Sequence, residues 1–217
     1  MKIAFFGDSV TEGCFEIIRI DGKPEVLRDY PNCYRVKLAE KIKENYPNRD
    51  FEFLNFAYSG RNTNDAIEIL PELIKAKPDL VIMCFGLNDI SGEIDLFEKN
   101  LNFIFDSLKK ESINVIFMTH NMFNKYVNNE EVEELIDMAR NCAELQNNGT
   151  VDRFVEVERK TAKKYDFEVV DVYAKWKEFE SYGIDTSLLL CNYINHPTRK
   201  MHNLFVDLLF DKIKNII

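Results

Sequence analysis

Five short apolar runs alternate along the chain with segments of helical periodicity. The runs are Lys2–Phe6, Phe51–Phe56, Leu80–Phe85, Ile113–Met118 and Phe167–Val172. The third run contains no polar residue, which is typical of a central strand in a parallel sheet covered on both faces. Strands that alternate with helices predict an α/β fold in which a five-stranded parallel sheet lies between two helical layers.

The segments between these runs predict the helices. They are Cys33–Tyr46, Asn64–Ala76, Leu96–Lys109, Lys175–Ser181 and Thr198–Ile216, together with Glu130–Tyr165, which is mostly helical with an interruption near Asn147-Asn148-Gly149. Pro71 predicts a kink in the second helix or its division into two. Residues 120–129 have no clear period and predict a long functional or mobile loop. The whole chain, residues 1–217, is the right length for a single domain.

Charge and cysteine content exclude several classes of protein. Acidic residues outnumber basic ones by 37 to 28, and the net charge is −9. A chain this acidic is a poor candidate for binding nucleic acid or an anionic membrane. The first apolar run is broken at Gly7-Asp8, too soon for a secretory signal, and the five cysteines include no CxxC pair. We therefore expect a cytoplasmic protein with no membrane partner, and the sequence leaves its oligomeric state open.

Small polar residues and glycines follow the predicted strands. They are Gly7-Asp8-Ser9 after the first strand, Gly60-Arg61 after the second, Gly86-Leu87-Asn88-Asp89 after the third and Thr119-His120 after the fourth. Turn chemistry alone also favours glycine and asparagine at such positions. Ligands of open parallel sheets bind outside the carboxyl ends of the strands. These residues are therefore the candidates for a functional site.

Three of these segments, together with a fourth near the end of the chain, resemble the motif blocks of the SGNH/GDSL hydrolases. They are Gly7-Asp8-Ser9, Gly60, Gly86-Leu87-Asn88-Asp89, and Asn195-His196-Pro197 before the last helix. They occur in the family's order and cover nearly the whole chain. The resemblance implies a flavodoxin-like three-layer α/β/α sandwich and ester hydrolysis through an acyl-enzyme, with no cofactor and no metal.

The resemblance also implies a role for individual residues. Ser9 corresponds to the nucleophile, and His196 to the base that a serine hydroxyl needs within hydrogen-bond reach. The oxyanion donors correspond to the backbone N–H groups of Ser9 and Gly60 and the side-chain amide of Asn88. Loss of one such donor commonly costs on the order of 100-fold in rate.

One position departs from the family pattern. The family places an aspartate three residues before the histidine, where this chain has Tyr193. Either Asn192 or a backbone carbonyl is expected to orient the imidazole of His196 instead, and an amide cannot offset the imidazolium charge as a carboxylate does.

Four further residues are candidates for substrate contact: Asp8, Arg61, Asp89 and His120. Asp8 can equally hold the nucleophile turn by accepting backbone N–H groups, and Asp89 can fix its loop. Arg61 can be an ordinary surface arginine. His120 is a rival to His196 as base and ranks second.

The leading hypothesis is a cytoplasmic serine esterase that removes a small acyl group, such as an O-acetyl group on a sugar. An alternative is a flavodoxin-like module that binds a small molecule or nucleotide without chemistry, although the chain lacks GxxxxGK[ST] and GxGxxG. Another is a Mg²⁺-dependent phosphatase with Asp8 as nucleophile. That class usually has a second aspartate two residues on, where this chain has Val10.

Overall fold

A computed structural model describes residues 1–130 and 132–217. The strands of this part of the chain are β1 (Lys2–Gly7), β2 (Cys14–Ile20), β3 (Lys23–Arg28), β4 (Glu52–Asn55), β5 (Leu80–Cys84), β6 (Asn114–Met118) and β7 (Glu168–Val170). Five of them form a sheet in the order β4-β1-β5-β6-β7, in which every neighbouring pair is parallel. The five strands predicted from the apolar runs are confirmed, with ends that differ by one or two residues.

Helices cover the sheet on both sides, as expected for a three-layer α/β sandwich. They are α1 (Ser9–Glu12), α2 (Tyr34–Asn45), α3 (Thr63–Lys75), α4 (Ile94–Lys110), α5 (Ile136–Asn147), α6 (Thr150–Lys164), α7 (Val172–Ser181) and α8 (Arg199–Ile213). Helix α2 packs against α8, whereas α4 packs against both α3 and α6, and α5 packs against α6. The predicted interruption near Gly149 is confirmed, and Glu131 of the predicted segment Glu130–Tyr165 lies outside the described residues.

Helix α3 continues through Pro71, so the predicted division into two helices is wrong. Its first turn is held by a capping box, in which the side chains of Asn62 and Asp65 each accept the other's backbone N–H. Leu70 and Leu73, on either side of the proline, are buried in the core. Capping and burial offset the backbone hydrogen bond that the proline cannot make.

The strand order places the loops after β1 and β5 side by side. Strand β1 pairs with β4 on one side and with β5 on the other, and Gly7 at its end is opposite Cys84. The chain therefore passes from one flank of β1 to the other between β4 and β5. In sheets wound in this way, ligands bind where the winding direction changes. Ser9 and Asn88 follow the two strands at this point.

An antiparallel hairpin, β2–β3, is added to the five predicted strands. Its turn residues, Asp21 and Gly22, have φ angles of 52° and 78°, the left-handed pair that a two-residue hairpin turn requires. Cys14 is opposite Arg28, but Ile17 is opposite Val26, so the register shifts between the two pairs. Two residues of β2 therefore face one residue of β3 in a β-bulge.

The loop 120–129 is irregular, and its first half is packed into the protein. Residues 120–124 are all buried. The backbone N–H of Asn124 donates to the carbonyl of Ile194, and that of Phe123 donates to the side chain of Gln146. The loop therefore supports the segment that carries His196.

Within the described residues, no helix combines the length and apolar character needed to cross a membrane.

Candidate active site

Ser9 is the first residue of α1, at a sharp turn out of β1. Asp8 caps the helix, since its Oδ1 accepts the backbone N–H of Val10 at 3.0 Å. Gly7 is required by close packing, because a Cβ there would lie 2.3 Å from Oγ1 of Thr11. The turn presents the hydroxyl of Ser9, which is 4% exposed, above the sheet edge.

His196 lies within hydrogen-bond reach of Ser9. Its Nε2 is 3.0 Å from Oγ of Ser9, and its Nδ1 is 2.8 Å from the carbonyl oxygen of Phe15. A carbonyl can only accept, so Nδ1 carries the proton and Nε2 presents its lone pair to the serine hydroxyl. Burial lowers the pKa of His196, which keeps the imidazole neutral. The pair is therefore arranged for removal of the Ser9 proton.

Within the described residues, the side chain of Asn192 makes no hydrogen bond to the imidazole of His196, which corrects the expectation that it takes the place of the missing aspartate. Its Oδ1 accepts the backbone N–H groups of Ile194, Asn195 and His196 at 2.8 to 3.1 Å. The oxygen is thus used to fold the turn before the imidazole. The other alternative, a backbone carbonyl, matches the observed geometry, and Phe15 supplies it.

The expected oxyanion donors lie on loops that are tied to one another. Nδ2 of Asn88 donates to the carbonyl of Arg61 at 2.8 Å, which leaves its second N–H unused by this bond. Gly60, next to Arg61, has a φ of 80°, a conformation that glycine adopts without strain. Among the described residues, the backbone N–H groups of Ser9 and Gly60 have no protein acceptor.

The two aspartates of the strand-end segments are structural in their contacts. Asp8 is fully buried, which raises its pKa to about 7, and it does not reach the surface where a substrate would bind. Oδ1 of Asp89 accepts both the backbone N–H and the hydroxyl of Thr63, at 3.0 and 2.5 Å, and fixes the start of α3. Burial raises the pKa of Asp89 to about 6. A fully buried Asp8 with a raised pKa is a poor nucleophile, which weakens the phosphatase hypothesis.

His120 is buried behind Gly86, which leaves it almost no surface for the expected contact with substrate. Its Nδ1 is 2.8 Å from the carbonyl of Asn121, and its Nε2 is 3.5 Å from Oε1 of the buried Glu158. A Cβ on Gly86 would lie 2.5 Å from the His120 ring and 2.3 Å from Glu158. Burial lowers the pKa of His120 to about 4 and raises the pKa of Glu158, and both shifts favour the neutral form.

Arg61 lies on the loop beside Gly60. Its guanidinium stacks on the ring of Tyr58 with 4.0 Å between the guanidinium carbon and the ring centroid. A small cleft adjoins this loop and is lined by polar side chains, among them Asn62, Asn64, Asn88, Asp89 and Asn100. Amide groups both donate and accept, so this lining suits the hydroxyl groups of a polar ligand.

Three features of the site were not predicted from the sequence. They are the identity of Phe15 as the residue that supplies the carbonyl, the carboxylate of Glu12, which accepts the backbone N–H of Ser59 at 2.6 Å, and the guanidinium of Arg199. All three adjoin the hairpin β2–β3. The dipeptide Asp21-Gly22 between two strand-like runs was the signal that could have predicted this hairpin.

In the described part of the chain, no three His, Cys, Asp or Glu side chains are grouped to hold a metal.

Comparison with known proteins identifies a family for this chain and solved structures with the same fold. Residues 5–204 match the family model described as GDSL-like Lipase/Acylhydrolase. A lipase/acylhydrolase from Enterococcus faecalis superposes with a TM-score of 0.71 at 21% identity, covering 99% of this chain and 95% of that chain. An acetyl xylan esterase superposes with a TM-score of 0.71 at 16% identity, covering 98% of this chain and 100% of that chain.

A further solved structure is a catalytic serine-to-alanine mutant of an acetylxylan esterase from Geobacillus stearothermophilus. It superposes with a TM-score of 0.70 at 19% identity, covering 98% of this chain and 93% of that chain. At these identities the likeness establishes the shared fold. No curated protein matches the sequence.

Proposed function

Because the chain belongs to the GDSL-like lipase/acylhydrolase family and is a carboxylic ester hydrolase, we propose that it works through an acyl-enzyme on Ser9. The observation that carries this proposal is the 3.0 Å contact between Oγ of Ser9 and Nε2 of His196. A serine hydroxyl becomes an effective nucleophile when a base takes its proton during attack. The protonated Nδ1 leaves Nε2 free for this task.

The reaction has two halves. Oγ of Ser9 attacks the ester carbonyl carbon and its proton passes to Nε2 of His196. The tetrahedral intermediate then collapses, and the alcohol leaves with the proton from His196. In the second half, water attacks the acyl group while His196 takes one of its protons, and collapse releases the acid and restores the hydroxyl of Ser9.

The negative oxygen of each intermediate needs donors in fixed positions. We assign this role to the backbone N–H groups of Ser9 and Gly60 and to the free N–H of the Asn88 amide. The lack of a protein acceptor for the two backbone groups supports the assignment. The bond from Asn88 to the carbonyl of Arg61 holds the side chain beside the Gly60 loop.

The proposed substrate is a short acyl ester, such as an acetyl group, on a carbohydrate. Two relatives by fold are named acetylxylan esterases. The polar cleft beside Asn88 also favours an alcohol part rich in hydroxyl groups. In this proposal the substrate is an acylated carbohydrate, and Ser9 accepts its acyl group.

Labelling with a fluorophosphonate tests the nucleophile without knowledge of the substrate. We expect mass spectrometry to find the label on the peptide that contains Ser9, and Ser9→Ala to abolish both labelling and ester hydrolysis. Ser59→Ala, in the neighbouring loop, is the matched control and should label normally. Equal activity of wild type and Ser9→Ala on p-nitrophenyl esters would refute the mechanism. A preference for long acyl chains over acetyl would refute the proposed substrate alone.

A further inference from the structure

The imidazole of His196 depends for its orientation on the hairpin β2–β3. The carbonyl that faces Nδ1 belongs to Phe15, and Phe15 lies within the bulge between Cys14 and Ile17. Along a regular antiparallel strand, the carbonyls of successive residues point alternately toward the paired strand and away from it. A bulge leaves a residue unpaired and changes the direction of its groups. Phe15 thus lies at an interruption of the ladder, and its carbonyl faces Nδ1 of His196.

A second connection joins the same two segments. Arg199 lies three residues after His196, at the start of α8. Its guanidinium binds both carboxylate oxygens of Glu16, the residue after Phe15, and its Nε donates to Oδ2 of Asp29 at 2.6 Å. It also stacks over the Phe15 ring, 4.6 Å from the centroid. Arg199 therefore holds the bulge on β2 and the end of β3 together.

From this geometry, we infer that Arg199 is a positioning residue that fixes the Phe15 carbonyl against His196. The inference rests on the proposed roles of Ser9 and His196. A planar guanidinium bound in two directions restricts both translation and rotation of the segment it holds. Because Glu16 is adjacent to Phe15, a shift of this ion pair moves the carbonyl that orients the base. Arg199 acts through that carbonyl and has no contact with the reacting atoms.

The test compares Arg199, which binds one end of the hairpin from α8, with Arg19, which lies on β2 near the other end. Arg19 also binds both carboxylate oxygens of one glutamate, Glu134, at 2.9 and 2.7 Å. Since displacement of a catalytic group by 1 Å can cost about 100-fold, we expect Arg199→Gln to lower kcat by roughly 10- to 100-fold. KM should change little, and Arg199→Lys should recover part of the loss. Arg19→Gln should keep kcat within about twofold of wild type, because it leaves the bulge intact.

A spectroscopic measurement separates positioning from general stability. In protein labelled with ¹⁵N-histidine, His196 should appear as the Nδ1–H tautomer in wild type and in Arg19→Gln. In Arg199→Gln, the Nδ1–H signal of His196 should shift or broaden. If Arg199→Gln does not fold, Glu16→Gln removes the charge of one partner and should reproduce both effects in weaker form.

Three results would overturn the inference: unchanged kcat in Arg199→Gln, equal losses in the Arg199 and Arg19 variants, or a lower kcat with an unaltered His196 signal. Failure of the proposed function is distinct, because Ser9→Ala would then remain active.

Discussion

Nδ1 of His196 faces a neutral carbonyl rather than a carboxylate. When His196 takes the proton of Ser9, the imidazolium is supported by the dipole of the Phe15 carbonyl alone at this nitrogen. A carboxylate would stabilise the charge further and raise the pKa of the ring. Here burial acts without that opposition, and the pKa of His196 is lowered. His196 therefore stays neutral to a lower pH than a histidine paired with a carboxylate, but its protonated form is less stabilised.

This balance predicts the pH dependence of the reaction. Activity requires neutral His196, so kcat/KM should fall when the ring is protonated. Because its pKa is lowered from 6.5, the acid limb of kcat/KM should have its midpoint below pH 6.5. The measurement is kcat/KM for p-nitrophenyl acetate between pH 4.5 and 8. A midpoint above pH 6.5 would contradict the environment described for His196.

Asn192 offers a second test at this scale. Removing its side chain leaves three backbone N–H groups without the acceptor they share, and each unsatisfied buried donor costs about 1 to 3 kcal/mol. Asn192→Ala should therefore lower both the melting temperature and kcat. Asn192→Asp retains the acceptor oxygen but loses the bond from Nδ2 to Oδ1 of Asn195, so its losses should be smaller than those of Asn192→Ala. If Asn192→Asp were as impaired as Asn192→Ala, the role of Oδ1 as acceptor would be wrong.

At the scale of elements, Glu12 connects α1, β3 and the loop that contains Ser59. It ends α1, its Oε1 accepts from Nε of Arg28 at the end of β3, and its Oε2 accepts from the backbone of Ser59. The Ser59 bond fixes the loop that presents Gly60. Without the carboxylate, that loop is held by fewer contacts, so the proposed oxyanion donor is less well positioned.

Glu12→Ala should accordingly lower kcat for ester hydrolysis by about 10-fold or more, because an oxyanion donor that is poorly placed loses much of its effect. KM should change less than kcat. Glu12→Gln keeps an acceptor for Ser59 and should retain most of the activity. The rates of the three proteins with p-nitrophenyl acetate decide the matter. Equal loss in both variants would assign the effect to the charge of Glu12 rather than to its contact with Ser59.

The elements also show what could be predicted from the sequence. Leu80–Phe85 was recognisable as a buried strand because its apolar residues are consecutive, and Ser9 and His196 were recognisable because their side chains carry the chemistry. The hairpin was missed although Asp21-Gly22 signals a two-residue turn. The Phe15 carbonyl could not be found from residue type, because every residue has one. Its place at the bulge and its contact with Nδ1 of His196 are properties of the folded strands.

At the scale of the whole molecule, the fold buries carboxyl groups that its proposed chemistry does not use. Asp8 and Glu158 are fully buried, and within the described residues Oδ2 of Asp8 and both oxygens of Glu158 have no hydrogen-bond partner. Burial raises the pKa of Asp8 to about 7 and that of Glu158 well above 4.5. The folded chain therefore holds protons that the unfolded chain has already released at neutral pH.

The sign of the resulting pH effect follows from this difference. A group whose pKa is raised by folding contributes its full stability below the unfolded value, and the contribution is lost as pH rises through the folded value. While each such group keeps its proton, the free energy of unfolding should fall by about 1.4 kcal/mol per pH unit. We expect urea denaturation to show lower stability at pH 8 than at pH 6.5. The three buried histidines, His120, His196 and His202, offset part of this fall, because each is about half protonated in the unfolded chain at pH 6.5 and neutral in the folded chain.

Two variants on α6 isolate the share of Glu158 in this pH effect. Glu158→Gln has a neutral side chain of nearly the same size, so the fall in unfolding free energy between pH 6.5 and pH 8 should become smaller by about 1 to 2 kcal/mol. Glu156→Gln changes an exposed carboxylate on the same helix and should keep the wild-type slope. An unchanged slope in Glu158→Gln would show that Glu158 is ionised in the folded protein. The buried His120 beside it would then have to carry the balancing charge, which its own burial opposes.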